Sequence, residues 1–341
     1  MRPIPLLALA LVAGCGPAAE SKAPEPPAAR PPAGAPSLTF PVACEIGKTC
    51  ELQNHVDRDP GPGAKDYRCG VQTYEAHGGV DIRVPDMAAQ RAGVDVLAAA
   101  DGRVARLRDG VPDVSIRTAA AASASGQECG NGIVIDHGGG WETQYCHLAQ
   151  GSLRVKAGDT IAAGQPIARI GLSGNTEYPH LHLTVRRDGV TVDPFAPTAP
   201  EGSCEPQAPV AGLWEPAAAK ALAYRRGAVL NLGFSGAPVT MEQIEAGEIA
   251  APGAAAPVLV AYGRGVKLEA GDEQEMVLEG PGGVELARQR LKPLERPMAQ
   301  YFMYVGKRTP SGGWPPGTYR ATYRILREGA TAASQTEELR L

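Results

Sequence analysis

Short runs of alternating apolar and polar residues, cut by glycine, dominate the chain from residue 71 to residue 196. A period of two is typical of β-strands with one buried face. The segment EYPHLHLTV (177–185) alternates two leucines with two histidines. A strand here places His180 and His182 on one face and the leucines in a core behind it. Two imidazoles aimed into one space indicate a metal site or a proton-transfer site, although the segment alone is equally compatible with surface histidines.

Two segments in this region are similar to each other. VLAAADGRVARL (96–107) and VKAGDTIAAGQPIARIG (155–171) each predict a strand, a tight turn and a second strand. They resemble the half-repeats of lipoyl and biotinyl carrier domains, but Lys156 lacks the hairpin-tip context that a modified lysine needs. The repeat therefore predicts a barrel-sandwich of two curved sheets. The small, polar residues 109–130 between the halves predict a surface loop.

The pattern changes after a predicted linker over residues 197–212. In GTYRATYRILREG (317–329), tyrosine and isoleucine alternate with arginine and threonine, which predicts a strand with one core face and one water face. About seven such strands over residues 213–341 favour an immunoglobulin-like β-sandwich. The predicted fold class is all-β throughout. The second module is expected to act as a spacer or to dock a protein partner.

Composition supports this prediction. A chain of 341 residues is long enough for two domains with real cores. Aromatic residues make up only 5%, whereas there are 42 glycines and 31 prolines, which favours turn-rich β structure over helical bundles. The net charge of −4 is spread along the chain, so no nucleic-acid partner is expected.

The N-terminus has the pattern of an export signal. MRPIPLLALALVAGC begins with a positive charge at Arg2, continues with an apolar run and ends in small residues. LVAGC resembles a bacterial lipobox, which implies that residues 1–15 are a lipoprotein signal peptide and that Cys15 is lipidated; an ordinary signal peptide is the alternative. Some bacteria sort lipoproteins by the residue that follows the lipidated cysteine. Gly16 at this position, in place of aspartate, implies anchoring at the periplasmic face of the outer membrane. Residues 16–37 predict a Pro-rich tether.

Cysteine usage agrees with export. The six further cysteines are Cys44, Cys50, Cys69, Cys129, Cys146 and Cys204. An even number in an exported chain predicts disulfides. Cys44 and Cys50 bracket a short loop, and Cys129 and Cys146 flank a predicted hairpin, which leaves the last two as a remainder. Six cysteines allow many pairings, so the sequence leaves the pairing open. A zinc site formed by cysteines is disfavoured, because no C-x-x-C motif occurs in the chain.

Two further motifs carry candidate chemistry. In YEAHGGVDI, the two glycines between His77 and Asp81 allow both side chains to converge. Histidine nitrogen and aspartate oxygen are good zinc ligands, although a turn histidine with a solvated aspartate explains this stretch equally well. In QYCHL, His147 is predicted to lie on a strand, on the same face as Tyr145.

Taken in order, H-x-x-x-D, GNGIVIDHGGGWETQYCHL, GDTIAAGQPIARIGLSGNTEYPHLHLTV and VDPF resemble the lysostaphin/LytM family of zinc metallopeptidases. The resemblance covers roughly residues 74–196. It implies a metallopeptidase domain over residues 71–196, preceded by a disulfide-bearing lead-in over residues 38–70. The implied activity is endopeptidase cleavage of the stem-peptide cross-links of bacterial peptidoglycan.

The resemblance also implies the roles of individual residues. His77, Asp81 and His182 match the zinc ligands, with one Zn²⁺ per chain. His147 and His180 match two active-site histidines that do not ligate the metal. Three protein ligands with an open position are typical of a catalytic zinc that activates water. A histidine is suited to accept the proton of that water, and either member of the second pair is a candidate.

Three alternatives stay open. Some members of this family have lost ligands and act as activators of other wall hydrolases; the intact set of five positions favours an enzyme. A secreted protease acting on proteins is also compatible. His55, in the lead-in, is a candidate fourth ligand of a latent form, whereas His137 at a hairpin tip is expected to be structural.

Overall fold

The structure is a computed structural model that describes residues 32–118, 126–207 and 212–341. The expected signal peptide, Cys15 and most of the tether lie outside the described residues. Parts of the surface loop and of the linker also lie outside them.

Strands make up most of the regular structure, which confirms the all-β prediction. The first ten are β1 Glu51–Asn54, β2 Val80–Arg83, β3 Asp95–Leu97, β4 Gly102–Arg108, β5 Asn131–Gly138, β6 Trp141–Leu148, β7 Thr160–Ile161, β8 Pro166–Arg169, β9 His180–Arg187 and β10 Val190–Val192. The other seven are β11 Ala228–Ser235, β12 Val258–Leu268, β13 Glu273–Glu279, β14 Glu285–Arg290, β15 Met298–Arg308, β16 Thr318–Arg327 and β17 Ala330–Arg340. The helices in the described residues are α1 Met87–Ala92, α2 Pro216–Ala221, α3 Met241–Ala246 and a 3-10 turn at Pro281–Gly283. None of these helices has the length and apolarity needed to span a membrane.

The N-terminal half has an eight-stranded antiparallel sheet, with strand order β1-β2-β9-β6-β5-β4-β7 and β10 added to β9, and a two-stranded sheet of β3 and β8. The inner face of the eight-stranded sheet is apolar, because alternate residues such as Ile82, Ile133 and Leu183 are fully buried in a single core. Asp81 and His182 alternate with these core residues on β2 and β9 and therefore lie on the opposite face. The strand alternation thus creates a polar surface backed by a rigid core.

The two similar segments of this half pair with each other. Strand β3 of the first segment pairs with β8 of the second, and β4 pairs with β7. Each segment bends at its turn, so its two strands enter different sheets. This crossed arrangement is the predicted barrel-sandwich.

The lead-in is built into the same half. Strand β1 pairs with β2, the strand that carries Asp81. Leu38, Val42 and Tyr67 are buried in the core of the main sheet. Residues 38–70 therefore cover one edge of the sheet and share its core.

Disulfides connect distant parts of this half. The pairs in the described residues are Cys44–Cys50, Cys69–Cys204 and Cys129–Cys146. The second pair spans 135 residues and ties the lead-in to the segment that follows β10. The third closes the β5–β6 hairpin over 17 residues.

The C-terminal half is a sandwich of two sheets, ordered β11-β12-β15 and β14-β13-β16-β17. Its seven strands agree with the prediction. In β16, Tyr319, Tyr323 and Ile325 are fully buried in the core between the sheets, whereas Arg320 is exposed. The alternation seen in the sequence therefore gives the orientation of this strand.

Candidate metal centre

The centre is built on two neighbouring strands. Asp81 of β2 and His182 of β9 are directly opposite each other in the antiparallel pairing. Opposed residues project to the same side of a sheet, and here Asp81 Oδ1 lies 2.8 Å from His182 Nδ1. The sheet pairing alone therefore brings the carboxylate and the imidazole together.

His77 reaches the same point from the turn before β2. Its Nε2 lies 3.1 Å from Asp81 Oδ1 and 3.2 Å from His182 Nδ1. Gly79, between His77 and Asp81, lets this turn pass close to His182, because a Cβ at that position would lie 2.5 Å from Nε2 of His182. The role of this glycine is close contact with an imidazole and not an unusual backbone angle.

These three groups are the set in the described residues that can hold a metal ion. The ligand atoms form a small triangle with sides of 2.8, 3.1 and 3.2 Å. His77 and Asp81 are buried, and His182 is partly exposed. The triangle therefore faces an accessible side of the sheet.

Each of the three groups is oriented by a second contact. His77 Nδ1 donates to the carbonyl of His55 at 2.6 Å, which leaves Nε2 free to ligate. Thr184 Oγ1 lies 3.1 Å from His182 Nε2 and fixes the other imidazole with Nδ1 inward. Asn54 Nδ2 donates to Asp81 Oδ2 at 2.9 Å. Contacts of this type set the tautomer and orientation of metal ligands.

His147 and His180 lie beside the triangle, with ring centroids 4.7 Å apart. His147 Nδ1 is 2.8 Å from the carbonyl of Ser173, and His180 Nδ1 is 2.9 Å from the carbonyl of Tyr178. Because a carbonyl only accepts hydrogen bonds, both Nδ1 atoms carry the proton. Nε2 of each ring is therefore the nitrogen left for the centre, and that of His180 lies 3.5 Å from Asp81 Oδ1.

The predicted shared face of Tyr145 and His147 is wrong. Tyr145 is fully buried in the core opposite Leu183, whereas the ring of His147 contacts that of His180. The register between β5 and β6 shifts at this point, and His147 has φ of 60°. Cys146 and His147 together oppose a single residue of β5, and this extra residue breaks the side-chain alternation, which brings His147 to the metal centre.

The pKa values of the side chains at the centre are shifted in different directions. Burial would raise the pKa of the Asp81 carboxyl, but the charges of His77 and His180 outweigh it and hold this pKa well below its usual range. Burial lowers the pKa of His77, yet Asp81 reverses the shift. Burial, with His180 and His182 nearby, lowers the pKa of His147 far below its usual value. Asp81 is therefore ionised and His147 neutral at neutral pH.

The other two candidate histidines have different surroundings. The ring of His55 packs against Tyr67 and Phe195, and its backbone carbonyl is the group that contacts His77. The structure therefore does not support a fourth ligand from His55. The ring nitrogens of His137 contact the carbonyl of Asp101 and the hydroxyl of Thr143, as expected for a structural residue.

A cavity of about 480 Å³ adjoins His77. It is lined by segments 56–60, 76–78 and 190–202, so lead-in and sheet both contribute walls. Of the three residues of the triangle, His77 is the one that lines this cavity.

Two residues that orient the centre, Asn54 and Thr184, are not among those predicted from the sequence. Thr184 follows His182 by two positions, so strand alternation is a signal that identifies it. Asn54 has no such signal, because only the pairing of β1 with β2 brings it to Asp81.

Known proteins share the region that carries this centre. The sequence profile of Peptidase family M23 matches residues 75–194, which include all five candidate residues. The chain is 28% identical over 128 residues to the cell division protein DipM of Caulobacter vibrioides, covering 38% of this chain and 17% of DipM. It is 40% identical over 81 residues to the peptidoglycan DD-endopeptidase ShyA of Vibrio cholerae, covering 23% and 18%. It is 35% identical over 102 residues to the murein hydrolase activator EnvC of Escherichia coli, covering 30% and 20%. The chain thus spans about a fifth of the length of these relatives.

Proposed function

We propose that the protein is a zinc endopeptidase that hydrolyses peptide cross-links of bacterial peptidoglycan, on the basis that residues 75–194 match the sequence profile of Peptidase family M23. The observation that carries the proposal is the triangle of His77 Nε2, Asp81 Oδ1 and His182 Nδ1, with sides of 2.8 to 3.2 Å. Two oriented histidines beside it supply the remaining chemistry.

The donor set fits zinc. Imidazole nitrogen and carboxylate oxygen bind Zn²⁺ at about 2.0–2.2 Å, so ligands on one tetrahedral ion lie roughly 3.3 Å apart. The separations here approach that value, and each group is oriented by an outer contact. When bound, zinc supplies a hydroxide near neutral pH and polarises the scissile carbonyl.

His147 and His180 provide proton transfer. Both have Nδ1 bound to a carbonyl, which leaves Nε2 of each ring for proton transfer at the centre. The low pKa of His147 keeps this ring neutral and able to accept a proton. One member of the pair takes the proton from the attacking water and returns it to the leaving amine. The other, with a proton on Nε2, donates a hydrogen bond to the oxyanion.

The cleaved bond is proposed to join D-alanine to diaminopimelate. This assignment is supported by the outer-membrane address expected from the N-terminus and by the match to a DD-endopeptidase. Mass spectrometry of the muropeptides released from sacculi tests it directly. Products that retain this cross-link and are cut elsewhere would contradict it.

We further propose that Cys15 carries the lipid and anchors the protein to the periplasmic face of the outer membrane, near the wall. The lipobox-like LVAGC and Gly16 support this. In cells, radiolabelled palmitate is expected to label the wild-type chain and not Cys15→Ser. Equal labelling would refute the anchor and leave the enzymatic proposal intact.

The enzymatic proposal has a direct test. Purified protein is expected to solubilise peptidoglycan, to lose this activity when a chelator removes the metal, and to regain it with Zn²⁺. Casein serves as a control substrate, because a protease acting on proteins would digest it. Metal-loaded protein that leaves sacculi intact is the outcome that refutes the proposal.

The match to EnvC favours a second candidate, in which the domain activates another wall hydrolase without cutting peptidoglycan. The complete donor set argues against it. Dye-labelled sacculi discriminate the two: an enzyme releases dye alone, whereas an activator releases dye only when an amidase is added. Under the second candidate, His182→Ala retains activation.

A further inference from the structure

Buried polar contacts link the C-terminal sandwich to the metal centre. Arg83 of β2 is fully buried and lies two residues after Asp81. Its Nη2 donates to both carboxylate oxygens of Glu245 in α3, at 3.1 and 3.0 Å. Its Nη1 donates to Gln300 Oε1 of β15 at 3.3 Å. A strand of the proposed active site thus has two partners from the other half of the chain.

A second arginine completes this contact. Arg264 of β12 is also fully buried, and it bonds to Glu245, to Gln300 at 3.3 Å and to the carbonyl of Pro85. Two buried guanidinium groups therefore share one carboxylate. Removal of the carboxylate that both guanidinium groups share leaves buried cations less compensated, so Glu245 helps to determine where both arginines lie.

Arg83, whose position depends on Glu245, also contacts Tyr178. Its guanidinium lies 4.0 Å from the centroid of the Tyr178 ring, a close cation–π contact. Arg83 Nη1 also donates to Gln53 Oε1 at 2.9 Å, and Gln53 Nε2 donates to the Tyr178 hydroxyl at 3.1 Å. The ring of Tyr178 is held on its face and at its hydroxyl by the same pair of residues.

Tyr178 in turn contacts two parts of the centre. Its carbonyl accepts the Nδ1 proton of His180 at 2.9 Å. Its hydroxyl accepts from Asn54 Nδ2 at 3.3 Å, and the same amide donates to Asp81 at 2.9 Å. The position of Tyr178 therefore sets the ring of a proposed proton-transfer residue and the partner of a proposed ligand.

From these contacts we infer that the C-terminal sandwich is a positioning module for the metal centre, acting from Glu245 through Arg83 and Tyr178 on His180. Glu245 and Arg83 touch no reacting atoms and are positioning residues. The expected loss of turnover rests on the proposed function. The expected change in the position of the His180 ring does not depend on the proposed function.

The test compares Glu245→Gln with Glu338→Gln in the full chain. Glu338 pairs with Arg320 on the exposed face of the same sandwich, so its change alters charge without touching the contact. Glu245→Gln is expected to lower kcat about tenfold, as is typical of residues that orient a centre from outside. KM and zinc content are expected to stay at wild-type values, and Glu338→Gln to match wild type in all three.

Nitrogen-15 NMR of the imidazoles supplies a readout that needs no turnover. The chain has six histidines, so individual rings can be resolved. In Glu245→Gln, the His180 resonances are expected to move while those of His137, which has other partners, stay in place. Unmoved His180 resonances together with wild-type kcat overturn the inference.

A second, milder variant tests the inference even if Glu245→Gln fails to fold. Gln300→Ala removes an uncharged acceptor of both arginines, and its folding is checked by thermal unfolding. It is expected to move the His180 resonances in the same direction as Glu245→Gln; resonances that stay in place in a folded protein overturn the inference. If the wild type cleaves no peptidoglycan while the His180 resonances still move, the proposed function fails and the positioning role stands.

Discussion

The backbone N–H of His147 donates a hydrogen bond of 2.8 Å to the carbonyl of Cys129. Cys129 is also joined by a disulfide to Cys146, the residue before His147. His147 has φ of 60°, and a residue other than glycine keeps such a backbone only when its surroundings impose it, at a cost of about 1 kcal/mol or more. The disulfide and the hydrogen bond are the groups that impose it here.

Replacement of Cys129 and Cys146 by serine is therefore expected to lower kcat about tenfold with zinc content unchanged, because the ring of His147 loses its fixed orientation. Steady-state hydrolysis and metal analysis on the same preparation measure both quantities. The matched control replaces Cys44 and Cys50, which form a disulfide in a short loop of the lead-in. If both double variants turn over at the same rate, the disulfide has no special relation to His147.

His182→Ala is expected to lose the metal and the activity together, because the variant retains only two of the three ligand atoms. Zinc per chain, measured by elemental analysis after dialysis, checks this. His137→Ala is the control: that ring bonds Asp101 and Thr143 and should not alter metal content. A full equivalent of zinc in the His182 variant would remove this residue from the ligand set.

His147→Ala is expected to retain zinc and to lower kcat by about 10²–10⁴-fold, the usual contribution of a general acid–base group. His147 lies outside the triangle of ligand atoms, so its removal leaves the metal site complete. The same metal analysis and a muropeptide assay separate the two effects. Wild-type turnover in this variant would exclude His147 from proton transfer.

Burial raises the pKa of the Asp193 carboxyl to about 6. A carboxyl whose pKa is raised on folding stabilises the folded state while it is protonated, so this contribution is present below about pH 4 and is lost as the pH rises through about 6. Asp193→Asn keeps an acceptor for the backbone N–H of Phe195, which bonds Oδ1 at 2.9 Å. The free energy of unfolding of the variant should exceed that of the wild type by roughly 3 kcal/mol or less at about pH 8 and converge with it at about pH 4.

Urea unfolding of both chains across this range measures the difference. The comparison is made at saturating zinc, so that the pH dependence of metal binding affects both chains alike. A difference that does not change between the two ends of the range would show that Asp193 has the same pKa in the folded and unfolded chain.

The pattern of apolar and polar residues within a single strand was sufficient to predict which of its side chains face the core. The alternation in β9 assigns the leucines to the core and His180 and His182 to the opposite face, because side chains on a strand alternate strictly. Tyr319 and Tyr323 in β16 follow the same rule and are fully buried. For this reason the all-β class and the sandwich could be predicted without knowledge of any contact.

Contacts between residues of different strands could not be predicted from the pattern within one strand. The bulge at His147 arises from a mismatch of register between β5 and β6, so the prediction for that side chain failed. Asn54 meets Asp81 because β1 pairs with β2, and Arg83 meets Glu245 across 162 residues of chain. Such contacts depend on how separate elements pack, and no short-range periodicity in the chain encodes them.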